Sequence, residues 1–172
     1  SSRLTKIYKA DVVANDGKMM ILRKEVEKCN LMINKIKNNS VCQSLLTGQD
    51  VIYEEPGIKN INGTWWKGKA DCINRDQGLL VDIKTTGDIN GFRKSANTYN
   101  YDSQAYIYRR IFGHELVFLV ICKKTHQIGI YDCSDEFYER GGHKVKLAME
   151  QYDKLIEDPL FNIKDYVKTE TL

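Results

Sequence analysis

Two prolines in 172 residues, and no tract rich in serine and glycine or built of repeats, argue against a long linker or extended disorder. No run of about twenty apolar residues occurs, so no membrane-spanning helix is expected. No secretory signal peptide is visible. The five cysteines (Cys29, Cys42, Cys72, Cys122, Cys133) form no C-x-x-C pair, which removes the usual frames for zinc and iron–sulfur centres. Their odd number and scatter suit a reducing cytoplasm, and Cys72, Cys122 and Cys133 read as small buried hydrophobes in strands. There are three histidines (His114, His126, His143), and none falls near the acidic motif described below. No phosphate-binding glycine loop is present, which argues against a nucleotide-driven motor. The net charge is only +3, so any nucleic-acid surface must come from local clustering of basic residues.

What is present fits one globular domain over 1–172, with 42% hydrophobic residues to fill a core. Leu22, Val26, Cys29, Ile33 and Ile36 alternate spacings of four and three, which predicts a core-packing helix over 18–37. Asn38-Asn39-Ser40 breaks it, and a short helix over 41–47 ends at Gly48. Strands are expected at 50–55, 64–73 and 79–86, then a loop over 87–100. A helix over 99–112 follows, then strands at 116–123 and 127–133. A last helix over 135–158 has Gly141-Gly142 as a point of interruption and stops at Pro159. Residues 160–172 read as a loosely docked tail. This order predicts an α/β or α+β fold, a mixed central sheet flanked by helices.

The most informative segment is GKADCINRDQGLLVDIKTT, residues 68–86. Asn74 to Gly78 is turn chemistry, and both flanks are strand-like. In a strand, Asp82 and Lys84 share one face while Val81 and Ile83 take the other. The apolar pair marks the strand as internal. A hairpin centred between Asp76 and Gln77 sets Asp71 directly opposite Asp82, with Cβ atoms about 5 Å apart. Two facing carboxylates repel unless something neutralises them. A divalent cation does so, and hard oxygen ligands suit Mg²⁺ or Mn²⁺. A slip of one residue would undo the pairing.

The helix over 99–112, YNYDSQAYIYRRIF, is capped by Asp102 or Ser103 and closed by Gly113. Gln104 and Tyr108 share a face. Tyr101, Ala105, Ile107 and Ile111 supply packing surface. Taken alone, this is an ordinary amphipathic helix.

The ordered set is more specific. Lys67-Gly68-Lys69-Ala70-Asp71, then Asp82-Ile83-Lys84-Thr85-Thr86, then Gln104-Ala105 with Tyr108, resembles the PD-(D/E)XK nuclease superfamily. Within it the pattern is most similar to the exonuclease VIII (RecE-type) branch of phages and prophages, with lambda exonuclease more distant. The resemblance covers roughly residues 50–135. It implies a restriction-endonuclease-like core. It also implies Asp71 and Asp82 as metal ligands together with the Ile83 carbonyl, Lys84 beside the attacking water, and Gln104 bracing the lysine and the phosphate. Tyr108 completes the helix motif. Two departures stand out. Ala70 replaces the proline of the family name, and relatives carry an N-terminal helix with a further ligand that is not found here. Glu54 or Glu55 would then supply an extra carboxylate, and the chain would be a fragment lacking that helix.

The resemblance implies a Mg²⁺-dependent exonuclease that digests duplex DNA 5′ to 3′ in phage-type recombination. Mn²⁺ would substitute. The expected partners are double-stranded DNA, a single-strand annealing protein and further copies in a ring, with no membrane. The compartment would be a bacterial or phage-infected host cytoplasm. Arg93 and Lys94, in the loop after the acidic strand, are the first choice for DNA contacts, with Trp66 and Tyr108 behind them; Trp65, Lys67, Lys69, Arg109 and Arg110 are further basic or aromatic neighbours. Two other readings stay open: a structure-specific or restriction-type endonuclease on the same site, and a DNA-binding or assembly module whose site is vestigial.

Overall fold

Apolar residues concentrated in the middle of the chain build one mixed sheet. The structure is a computed structural model that describes residues 3–162, except Gly17 and Met19. The sheet has five strands in the order β1 (Val51–Ile61), β2 (Thr64–Asn74), β3 (Leu79–Thr86), β4 (Glu115–Cys122) and β5 (Ile128–Asp132). Strands β3 and β4 run parallel, and the other neighbours are antiparallel. Strand β4 reads Glu-Leu-Val-Phe-Leu-Val-Ile-Cys and is buried from its second residue on. A nearly continuous apolar run is what a strand covered on both faces requires.

The parallel pair needs a crossover, and α4 (Phe92–Thr98) with α5 (Tyr101–Phe112) supplies it. On that side Ala70, Ile73, Leu80, Phe118 and Val120 pack with Phe92, Ala96, Ala105 and Tyr138. The last of these comes from α6 (Asp135–Glu157). On the other side α3 (Ser40–Leu46) lays Cys42 and Leu45 on Cys72, Val81 and Leu119. Helices α1 (Lys6–Ala14) and α2 (Arg23–Lys37) precede it. The buried cysteines are free thiols within these cores.

Several expectations need correction. Helix α1 was not anticipated; Thr5 caps it by accepting from the Tyr8 N–H at 3.2 Å. Helix α2 starts at Arg23, not at 18, because Glu25 reaches back to accept from the Leu22 N–H at 2.9 Å. Its apolar stripe is buried only at its start: Leu22 is buried, Val26, Cys29 and Ile33 are exposed, and Ile36 alone of α2 touches the α3 cluster. The expected loop over 87–100 contains α4, because Phe92 and Ala96, one turn apart, are both buried. Asn100, in the left-handed region at φ 54°, is the N-cap of α5, and Asp102 lies inside the first turn. Helix α6 runs unbroken through Gly141-Gly142. A Cβ on Gly141 would collide with the backbone carbonyl of Asp102, so this glycine marks where α5 and α6 touch. Strand β1 extends to Ile61, well past the expected 55. Ile83 is exposed despite its place in a central strand. The expected tail falls, after Asn162, outside the described residues.

Strands β1 and β2 change face in mid-length. Near the turn to β3, Val51 and Cys72 pack on the α3 side, and the Tyr53 hydroxyl donates to the Leu46 carbonyl there. Further along, Gly57 faces Ile111 and Phe112, and Gly68 faces Tyr108, so the same alternation now points to α5. The switch falls at Glu54 and Asp71, the one facing pair absent from an otherwise continuous ladder. Glu54 adopts φ 56°, the left-handed region a side chain rarely takes.

Candidate active site

The β2–β3 ladder pairs Cys72 with Val81, Ile73 with Leu80 and Asn74 with Leu79. That is the register that sets Asp71 across from Asp82. The ladder stops there and the strands part, while β3 continues beside β4 to Thr86. Asp71 fills the gap in backbone pairing, and its Oδ2 accepts from the Ile83 N–H at 2.8 Å. The N–H and C=O of one strand residue point to the same neighbour. The Ile83 carbonyl therefore also faces the parted side, where β2 offers it no ladder partner.

Asp82 is 4% exposed. Gln104 Nε2, from α5, donates to its Oδ1 at 2.7 Å. Lys84 Nζ lies 2.6 Å from Oδ2 in an ion pair that offsets its charge, and this buried oxygen has no other polar partner among the described residues. Burial raises the Asp82 pKa above the ordinary aspartate value; Lys84 opposes the rise, the Asp71 charge adds to it, and the Gln104 bond lowers it.

Lys84 is itself seated. Its ammonium sits 4.9 Å from the Tyr101 ring centroid and 6.0 Å from that of Phe118, and the two rings stack at 5.5 Å. Helix α5, which carries Gln104, is fixed to α6 through Asp102. That fully buried carboxylate accepts from Arg140 Nε at 2.7 Å and ion-pairs with Lys144 at 2.8 Å. Burial pushes the Asp102 pKa up, and the bonds from Lys144, Arg140 and the Ser103 N–H more than reverse it, leaving it below the usual carboxylate range.

Asp71, Asp82, Ile83, Lys84 and Gln104 thus converge at one place. The other expected residues divide. Glu54 forms an exposed ion pair with Lys69, and Glu55 pairs with Ala70 along β1. Among the described residues no group of three or more His, Cys, Asp or Glu side chains is placed to hold a cation. Tyr108 is a brace, not an open contact: its hydroxyl donates to the Lys69 carbonyl at 3.1 Å and its ring packs on Gly68 and Phe112. Trp66 is half-buried on the α5 side of β2, with a buried indole N–H that has no partner; it is Trp65 that stands out, at 68% exposed. Arg93 and Lys94 are exposed on α4. Arg109 is taken up by Glu115 at 2.7 Å. Cavities of about 640, 680 and 520 Å³ lie elsewhere and are lined by none of Asp71, Asp82, Lys84 or Gln104.

A family model for the PDDEXK-like domain of unknown function (DUF3799) matches residues 3–161. The chain belongs to this PDDEXK-like family. Among solved structures, a protein from Eubacterium rectale, provisionally named an exonuclease, is 18% identical; the match covers 96% of this chain and 69% of that one, with a TM-score of 0.66. At that identity the likeness shows a shared fold. A phage-related exonuclease from Haemophilus somnus 129PT is 16% identical, over 87% of this chain and 80% of that one, with a TM-score of 0.48, too partial a likeness to argue from. No curated protein sequence matches the chain. In this PDDEXK-like chain the acid–x–lysine triplet is Asp82-Ile83-Lys84, at the end of β3 where β2 parts from it.

The donor set fits a hard divalent cation. Among the described residues Asp82 Oδ2 is buried with no polar partner but Lys84, and Asp71 Oδ1 accepts no hydrogen bond. With the Ile83 carbonyl, on the side where β2 has parted, they offer three oxygen donors. Mg²⁺ characteristically takes few protein ligands and fills its shell with water and substrate phosphate. Among the described residues no helix is long and apolar enough to cross a membrane.

Proposed function

We propose that this PDDEXK-like chain is a metal-dependent deoxyribonuclease that hydrolyses duplex DNA from its ends, 5′ to 3′, in phage-type recombination. The observation that carries the nuclease reading is the buried Asp82 Oδ2, placed across from Asp71 and paired with Lys84. Asp71, Asp82 and the Ile83 carbonyl would hold Mg²⁺, for which Mn²⁺ substitutes. When bound, such an ion lowers the pKa of a water and stabilises charge on phosphate oxygens.

The chain's own residues supply the rest. Gln104 fixes the Asp82 carboxylate through Oδ1 and so aims Oδ2. Tyr101 and Phe118 hold the Lys84 ammonium against Asp82, where its charge meets an incoming phosphate and orients the attacking water. No histidine is required. The resemblance adds the finer terms: DNA ends as substrate, a single-strand annealing protein as partner, a ring of copies and a cytoplasmic setting.

The test is an end-labelled linear duplex beside a closed circular one. With Mg²⁺ the linear substrate should lose label and the circle should survive; EDTA or Lys84→Ala should stop the loss of label. Cutting of the circle would make the chain an endonuclease on the same site. No cleavage of either, with Mg²⁺ or Mn²⁺, would leave a vestigial site and overturn the proposal.

A further inference from the structure

Past the face switch at Glu54 and Asp71, the β1–β2 hairpin turns one face to α5 and the other to solvent. The outer face carries Trp65, Lys67 and Lys69 on β2, with Pro56 and Ile58 facing the two lysines from β1. Trp65 and Ile58 are each 68% exposed. Pro56, Ile58, Lys67 and Lys69 also line an open groove of about 680 Å³ over Gly57 and Gly68. Trp65, Lys67 and Lys69 stand at every second position, so they form one row along the strand. The row ends at the face switch, where Asp71 belongs to the candidate metal site. From Trp65 to Asp71 the strand covers about 20 Å, enough for a few nucleotides of unstacked strand.

The chemistry of the row is that of a single-strand track. Successive lysines about 7 Å apart match the reach between neighbouring phosphates of an extended strand. An exposed indole at the far end needs an unpaired base to stack on, which a closed duplex does not offer. Pro56 and Ile58 give the groove an apolar floor for base faces. Glu54, which holds Lys69 here, is exposed, and an exposed ion pair is cheaply exchanged for a phosphate.

The geometry points to the outer face of the β1–β2 hairpin as a binding track for single-stranded DNA leading to Asp71, with Lys67 and Lys69 on phosphates and Trp65 stacked on a base. This rests on the nuclease reading for its direction, since the track serves a strand entering or leaving the site. Apart from Asp71 at its end, the track uses none of the residues placed at the candidate metal site.

The experiment measures binding of fluorescent oligothymidylate in EDTA, so that the metal site plays no part. It runs beside Mn²⁺-dependent hydrolysis of bis(p-nitrophenyl) phosphate, which is too small to reach the track. Trp65→Ala should weaken oligothymidylate binding by about five- to a hundred-fold. Trp65→Phe, which keeps a stacking ring, should recover most of it. Lys67→Gln should lower the salt slope of binding by about 0.7. All three should hydrolyse the small diester like the wild type. Unchanged oligothymidylate binding by Trp65→Ala, with small-diester hydrolysis intact, would overturn the track and leave the nuclease reading standing. So would a shift in sedimentation with unchanged binding, since the face would then be a contact between copies. Trp65-dependent binding by a protein that hydrolyses neither DNA nor the small diester would keep the track and overturn the nuclease reading.

Discussion

Asp82 shows how one residue sets stability against function. Its buried carboxyl has a pKa above the ordinary aspartate value in the folded chain, so folding favours its protonated form. A carboxyl of that kind contributes its full stability below the unfolded value, about 3.9, and loses it as pH rises through the folded value. Wherever Asp82 is ionised, the native protein therefore carries a charge the fold disfavours. Asp82→Asn keeps an oxygen for Gln104 and removes the charge. In EDTA at pH 7 it should melt about 2–4 °C higher than the wild type, the shift that 1 kcal/mol produces in a domain of this size. The gap should close as pH falls and the wild-type acid takes up its proton. A variant that melts lower at pH 7 would show that the Lys84 contact outweighs burial. At this scale much could be read from sequence, since two-residue alternation puts Asp82 and Lys84 together wherever β3 lies. It did not show that Trp65, not Trp66, is the exposed tryptophan, because the strand changes face at Asp71 and the exposed position depends on that switch.

Helix α5 delivers Gln104 to Asp82, and α6 fixes α5. The two helices touch where Gly141 meets the Asp102 backbone, beside the buried Asp102 carboxylate with its Arg140 and Lys144 partners. Gly141→Ala must push the helices apart, at a cost of about 1–3 kcal/mol. Urea denaturation should show that loss, with nuclease activity reduced more steeply than stability because Gln104 moves with α5. A variant as stable as the wild type would mean the contact is not tight. None of this was legible beforehand. Gly141-Gly142 reads as a helix break, and Asp102 reads as a cap, because their partners lie about forty residues away and no local pattern encodes the meeting. Helix α4 escaped notice since seven residues with two apolar anchors carry too little periodicity. The long periodic elements, β2, β3, β4 and α5, were visible because tertiary packing and local pattern agree there.

For the whole molecule, the mixed sheet places the site on a central strand at the point where a neighbour departs. Strand β3 stays paired with β4 while β2 peels away after Cys72, and the opening is lined by the Asp71 carboxylate, the Asp82 carboxylate and the Ile83 backbone. That opening joins fold to chemistry. The order of the elements and the spacing of Asp71 and Asp82 made it legible from sequence, although the parting of the strands was not. The measurement that tests the account most directly is calorimetric titration of Mn²⁺ into the wild type, Asp71→Asn and Asp82→Asn. The wild type should bind the ion, and each variant should lose more than the about tenfold in affinity that removal of a supporting residue costs. A wild type that binds no Mn²⁺ at millimolar concentration, or variants that bind it as the wild type does, would contradict the account.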